Sequence, residues 1–264
     1  MIALQIFLFL CICFFIAVCF YKQQRTSIEL LQVEFTSIQD SLKDLAQERQ
    51  PIIIRGVPIP VSITLEKLSQ MERLDPFQLL NAATLKDYKA TPENVLPDYQ
   101  NSGRPILALE QSHKLAKELA VDTWASHTIQ DVIADLVGIF SPLYTQSVGV
   151  LLAGKGMERA LSVYTILMPV EGKYTLSIVN KKSESFLPSM WKYRFPRTLT
   201  INDSPLVGEI QYIDVVLRPG TLICLPPHCI YSLEPATKEF HSAIVIEVDS
   251  VVSKLTKFLE DLQN

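Results

Sequence analysis

Asp214-Val-Val-Leu-Arg-Pro-Gly-Thr-Leu-Ile-Cys-Leu-Pro-Pro-His-Cys-Ile-Tyr231 is the stretch on which the fold turns. Val215, Val216 and Leu217 form a β-branched and apolar run that stops at Pro219-Gly220, a pair that sets a tight turn. A second run, Thr221 to Leu225, stops at Pro226-Pro227. Short apolar runs separated by Pro-Gly and Pro-Pro breaks read as successive strands of a β structure, not as helices.

The same texture extends outward. Upstream lie SVGVLLAG from Ser147, LSVYTILM from Leu161 and KYTLSIVN from Lys173. A strand is also expected at Trp191–Phe195, one at Glu209–Leu217, and one at Ser242–Val248 beyond the opening stretch. The tail from Ser250 to Leu262 returns to helical spacing. Before residue 147 the pattern is helical in two pieces around Trp124 (residues 112 to 137), with short helices expected over 62 to 90 and a Pro-rich loop over 91 to 105. Pro51 opens Ile52-Ile53-Ile54-Arg55-Gly56, read as a buried strand. Helices followed by about seven strands give α+β with a β-sandwich or barrel core.

The 264 residues are 48% hydrophobic and 20% charged, with a mean hydropathy of +0.21. Residues 2 to 21 carry no charge and one polar side chain, Gln5. That length matches the roughly 20 apolar residues a bilayer-spanning helix needs. No basic residue precedes the run and no small-x-small cleavage site ends it, so the expectation is an uncleaved signal-anchor. Lys22 and Arg25 follow it, which places the remainder on the cytosolic side of a single-pass membrane protein. The lipid bilayer is then a partner through residues 2–21. Ile28, Leu31, Phe35, Ile38, Leu42 and Leu45 step by 3, 4, 3, 4, 3, which predicts an amphipathic juxtamembrane helix over 22–48. Its seam lies on its own domain or mediates self-association. The domain proper is 49–264: a helical part over about 62–137, a β core over about 147–248 and a C-terminal helix at 250–262.

Net charge is −4, so there is no electrostatic case for a nucleic-acid partner. Cys224 and Cys229 are the only cysteines beyond the apolar segment, too few for a disulfide framework or a zinc site. Gly149-Val-Leu-Leu-Ala-Gly154-Lys155-Gly156 approaches a phosphate loop, but Gly156 stands where the Mg²⁺-binding hydroxyl is required. No GxSxG and no HExxH occurs, and none of His113, His127, His228 and His241 lies within five residues of another. Asn202-Asp203-Ser204 is a sequon followed by Pro205 and is read as chance.

The opening stretch is similar to the closing segment of the JmjC/cupin-like family, where a strand, a Pro-Gly turn, a second strand and a "PPGWWH" turn end at an iron-ligating histidine. Glu48-Arg-Gln-Pro-Ile-Ile-Ile-Arg-Gly56 resembles that family's opening "PVVIRG" strand, and Gly172-Lys-Tyr-Thr-Leu-Ser-Ile-Val179 its "GxKxWxLxP" strand. The three pieces occur in the family's order across about residues 36 to 248. The resemblance implies a double-stranded β-helix, a jelly roll with flanking helices. The fold expectation is therefore a transmembrane helix followed by such an α+β domain.

The family's oxygenases bind Fe(II) and 2-oxoglutarate with a His-x-Asp pair and a distal histidine. Family spacing counted back from Gly172 puts the pair at Arg159 and Leu161; counted from Gly156 it falls at Ser162 and Tyr164. The distal position is Tyr231, and the co-substrate lysine position is Tyr174, with Lys173 beside it. Neither register supplies the two nitrogens and one carboxylate of a facial triad. A rearranged site from His228, His241 and Glu158 is the alternative. The resemblance thus implies a membrane-anchored, catalytically inactive binding or scaffolding module with no catalytic residues, metal or cofactor. Two readings compete with it: a 2-oxoglutarate oxygenase with a rearranged iron site, and a structural membrane component of a virus-like particle.

Overall fold

The computed structural model describes residues 2–23, 25, 27–59, 63, 67, 77–81, 86–90, 105–107, 109–152, 154–237 and 239–261. Helix α1 (Ile2–Lys22) leads into strand β1 (Leu31–Glu34), helix α2 (Ile38–Gln47) and strand β2 (Ile52–Arg55). Strands β3 (Phe77–Asn81), β4 (Lys86–Ala90) and β5 (Pro105–Leu107) follow. Next come helices α3 (Leu109–Glu118), α4 (Val121–Thr128) and α5 (Gln130–Val137). The remaining strands are β6 (Thr145–Leu152), β7 (Lys155–Arg159), β8 (Tyr164–Glu171), β9 (Tyr174–Val179), β10 (Tyr212–Leu217), β11 (Thr221–Leu225), β12 (Ile230–Pro235) and β13 (Ser242–Asp249). Helix α6 (Val251–Asp261) ends the described chain.

The strands from β6 onward build two antiparallel layers. One sheet has the order β1-β2-β11-β8-β13-β6, the other β10-β9-β12-β7. Apart from β9 to β10, each consecutive pair crosses from one sheet to the other, so the chain winds around a shared interior. That interior is filled by Leu151, Leu167, Ile223 and Val245 from the first sheet and Tyr174, Leu176, Ile178 and Tyr231 from the second. The other face of the first sheet buries Ile52, Ile166, Cys224 and Ile246 against Leu42, Leu115, Ile129 and Val132 of the helices. Strands β8 and β13, covered on both faces, are accordingly apolar almost throughout, as a two-sided burial demands.

The anchor expectation is corrected. No helix among the described residues is long and apolar enough to cross a membrane. Helix α1 leaves its side chains from Leu4 to Ala17 exposed. Its last turn is committed to the domain instead. Tyr21 is buried, its hydroxyl donates to the Leu161 carbonyl, and α1 packs against α6. The single-pass, signal-anchor and cytosol-facing placement falls with it. The α+β class stands, with no membrane-crossing helix among the described residues.

The helix expected over 22–48 is in part a strand. Leu31 to Glu34 pairs in parallel with Ile52 to Arg55, and only residues 38–47 are α-helical. Ile38 and Leu42 are buried in the helical-side core, with Leu31, Phe35 and Leu45 packed against it. The seam therefore lies on its own domain. In the region expected to hold short helices over 62–90, residues 77–81 and 86–90 are paired strands, and most of the remainder, like 91–104 of the expected loop, lies outside the described residues. Trp191–Phe195 is not a regular strand. Tyr193 takes a left-handed backbone (φ 63°) there, and its amide donates to the Met157 carbonyl at 2.8 Å while Met157 donates to Arg194 at 2.8 Å. This segment closes the free edge of β7. A Cβ on Gly156 would stand 2.0 Å from the Tyr193 carbonyl oxygen, so that glycine serves close backbone approach and not a phosphate.

Candidate functional site

Residue periodicity brings one polar cluster into the otherwise apolar interior, at the end where β7 meets β12. Glu158 pairs directly across from Tyr231, so both side chains share one face of the second sheet. The fully buried Tyr231 donates its hydroxyl to Glu158 Oε1, and Lys155 Nζ lies 2.5 Å from the same oxygen. Lys155 also sits 5.8 Å from the centroid of the Tyr231 ring. From the facing sheet and α6, Lys257 Nζ reaches Glu247 Oε2 and Asp249 Oδ2, each at 2.8 Å. Ser253 donates to Asp249 at 2.9 Å.

The electrostatics follow from this arrangement. Burial pushes the Tyr231 hydroxyl well up, and the adjoining Glu158 carboxylate adds to the effect, so Tyr231 stays a proton donor. Burial alone would raise the Glu247 carboxyl, but Lys155 and Lys257 more than offset it and hold it below its ordinary value. Reciprocally, Lys257 is held above its ordinary value: the Glu247 and Asp249 carboxylates outweigh its desolvation.

The positions singled out from family spacing separate here. Arg159 follows Glu158 and points the other way along the strand, to an ion pair with Glu184, which Lys181 shares at 2.6 Å. Leu161 lies beyond the strand end, with its carbonyl under the Tyr21 hydroxyl. Ser162 is buried, and Tyr164 turns to the helical side of the first sheet, 3.5 Å from the Ala46 carbonyl. Only Tyr231 of both registers enters the barrel end with a carboxylate beside it. Tyr174 is buried in the interior, with its ring edge-on to His241 at 5.3 Å, while Lys173 is exposed on the opposite face.

The rearranged set of His228, His241 and Glu158 is not brought together. His228 lies at the Ala160 end of the barrel, where its amide donates to the Ala160 carbonyl at 2.6 Å. Its ring packs edge-on to Tyr21 at 4.8 Å. His241 lies at the other end, Nδ1 2.6 Å from the Glu239 carbonyl and Nε2 3.3 Å from Thr237 Oγ1. Tyr231 and Pro235, which mark the two ends of the β12 pairing with β9, are four residues and so about 13 Å apart at the usual strand rise. Among the described residues no three His, Cys, Asp or Glu side chains group as a metal site would require. Iron would need two imidazoles and a carboxylate converging on one point. Here each carboxylate of the barrel end already holds a lysine ammonium, so the donor set does not fit the metal.

Beside the polar cluster runs a cleft of about 630 Å³ between α1, α6 and the barrel end. Lys22, Arg159, Lys181, His228, Thr256 and Glu260 supply its polar lining; Phe14, Val18, Leu161, Val252, Leu255 and Leu259 supply apolar walls. Burial, and then the charges of Arg159, Lys181 and Lys22, push the His228 imidazole down to about 4, so it is neutral at pH 7. His228 itself holds a left-handed backbone (φ 67°).

Spacing arguments missed Lys155, Glu247, Asp249 and Lys257. One signal was present: Glu247 and Asp249 are the only charges in the otherwise apolar run Ser242–Asp249. No family model and no curated protein matches the chain.

Proposed function

We propose that this chain is a metal-free binding module, a degenerate relative of the JmjC/cupin-like class that its three sequence segments resemble. The winding of its strands between two sheets supports the resemblance: β6, β8, β11 and β13 lie in one sheet and β7, β9, β10 and β12 in the other. The observation that carries the non-catalytic reading is the Lys155–Glu158–Tyr231 group. An ammonium and a phenol occupy the Glu158 carboxylate beside Tyr231, the distal ligand position that the resemblance implies. Fe(II) and 2-oxoglutarate chemistry has no donor set there, and no step is assigned to it.

The test is metal analysis of the purified full chain together with a 2-oxoglutarate decarboxylation assay after Fe(II) addition. The expected result is less than a tenth of an equivalent of iron or zinc and no decarboxylation above a denatured control, on the order-of-magnitude ground that every ligand is missing. One equivalent of iron, lost on changing His228 or His241 to Ala, overturns the reading.

A further inference from the structure

The cleft and the face of α1 that leads into it form one continuous surface. Phe14, Val18 and Lys22 are spaced by four, so they lie on one stripe of α1. A shallow, open face of α1 alone, formed by Phe7, Leu10, Cys11, Phe14, Phe15 and Val18, adjoins the cleft through Phe14 and Val18. From Phe7 to Lys22 the path is fifteen residues, about 22 Å along the helix. It is apolar for its whole length and then ends on cations. At that end Lys22, Arg159 and Lys181 face two carboxylates, Glu184 and Glu260, which leaves one positive charge over. The neutral His228 adds a polar ring nitrogen to the same floor. A surface of this form matches a ligand with one anionic end and one unbranched apolar tail, and its volume is that of a small-molecule site.

From these observations we infer that the cleft between α1, α6 and the barrel end binds a free long-chain fatty acid, its carboxylate at Lys22 and Arg159 and its chain along Val18, Phe14 and Leu255. Arg159 uses one terminal nitrogen on Glu184, and a guanidinium has five N–H donors in a planar fork suited to a carboxylate. A carboxylate is preferred over a phosphate monoester because a second negative charge would exceed the single positive charge left over. The inference rests on the non-catalytic reading, since it takes the barrel end as a binding surface.

The experiment is displacement of a fluorescent fatty acid from the delipidated full chain by oleate, methyl oleate, acetate and lysophosphatidic acid, with iron measured on the same sample. Oleate should bind at one equivalent and methyl oleate about tenfold more weakly, the loss of a charge-assisted contact. Lys22→Gln, at the exposed end of α1, should weaken oleate about tenfold while leaving methyl oleate unchanged. Leu255→Asp, on the exposed face of α6, should weaken both, and melting curves show that each variant is folded. No saturable oleate binding, equal binding of acid and ester, or tighter binding of lysophosphatidic acid overturns the inference. Stoichiometric iron instead overturns the non-catalytic reading, so the two failures are distinguishable.

Discussion

Replacing Lys155 by Met keeps most of the side chain's apolar stem and deletes only the ammonium. In the native protein that ammonium lies 2.5 Å from Glu158 and, together with Lys257, holds Glu247 ionised against its burial. The Lys155 and Glu158 side chains are 12% and 24% exposed, between the limits of a solvated pair and a fully buried one. A surface pair is worth about 0–1 kcal/mol, whereas stripping one partner from a buried pair costs about 3–5. The intermediate exposure places Lys155→Met at about 2–3 kcal/mol. For a chain of this size that lowers Tm by about 4–12 °C.

The pH dependence carries its own sign. Glu247 is held below its ordinary 4.5 in the folded state, so its stabilisation is present above about 4.5 and is lost as pH falls through the folded value. Without Lys155 the carboxylate is less well held. The gap between variant and wild type should therefore be full at pH 7 and should narrow below about pH 4.5, where Glu247 takes up a proton. Thermal unfolding by circular dichroism at pH 7, 5 and 3.5 measures this directly. A change under 1 °C at pH 7, or an equal loss at all three pH values, would refute the network as described.

Two further outcomes are expected. Gly172→Ala forces a side chain onto a left-handed backbone (φ 78°) and sets its Cβ 2.3 Å from the His241 ring. A loss of about 2–4 kcal/mol should follow, and adding His241→Ala should relieve the clash but not the backbone strain. His228 is held neutral with a value of about 4 against an ordinary 6.5. Its contribution is present above 6.5 and lost as pH falls from 6.5 toward 4, so His228→Asn, which suits the left-handed turn, should flatten the stability profile in that window. Proton NMR of the wild-type imidazole should titrate near 4, and a midpoint at 6.5 would contradict its burial beside Tyr21.

Most of the later strands were legible in the sequence, because burial on two faces leaves little choice of residue, but β7 (Lys155–Arg159) and β12 (Ile230–Pro235) were not expected from it. Tyr164–Glu171 and Ser242–Asp249 are apolar almost throughout, and Pro219-Gly220 and Pro226-Pro227 mark the turns between strands. The first half was not. Leu31 and Val33 alternate at period two while Ile28, Leu31 and Phe35 also step at helical spacing, so the same residues satisfy both patterns. The parallel partner Ile52–Arg55, some twenty residues on, settles the matter in favour of strand. Lys86-Asp-Tyr-Lys-Ala90 has the composition of a helix former, and pairing with Phe77–Asn81 overrides it. The apolar run at residues 2–21 was legible as a helix, but its length alone could not reveal that the last turn belongs to the domain. That depends on Tyr21 finding Leu161 and His228, more than a hundred residues away.

The site was less legible still, and the cause is topological. Residue spacing along one strand can specify a metal pair, because both ligands share a face. The cluster here takes Lys155 and Glu158 from β7, Tyr231 from β12, Glu247 and Asp249 from β13, and Lys257 from α6. No interval of sequence contains that set. Counting from a family landmark put the weight on Arg159, one residue beyond Glu158. In a strand neighbouring residues point to opposite faces. Arg159 accordingly belongs to the cleft with Lys181 and Lys22, and Glu158 to the interior with Tyr231. The two neighbours divide the chemistry of this end of the barrel. Glu158 receives an ammonium and a phenol from within, which closes the interior, while Arg159 presents charge outward to a cleft that α1 and α6 wall with apolar side chains.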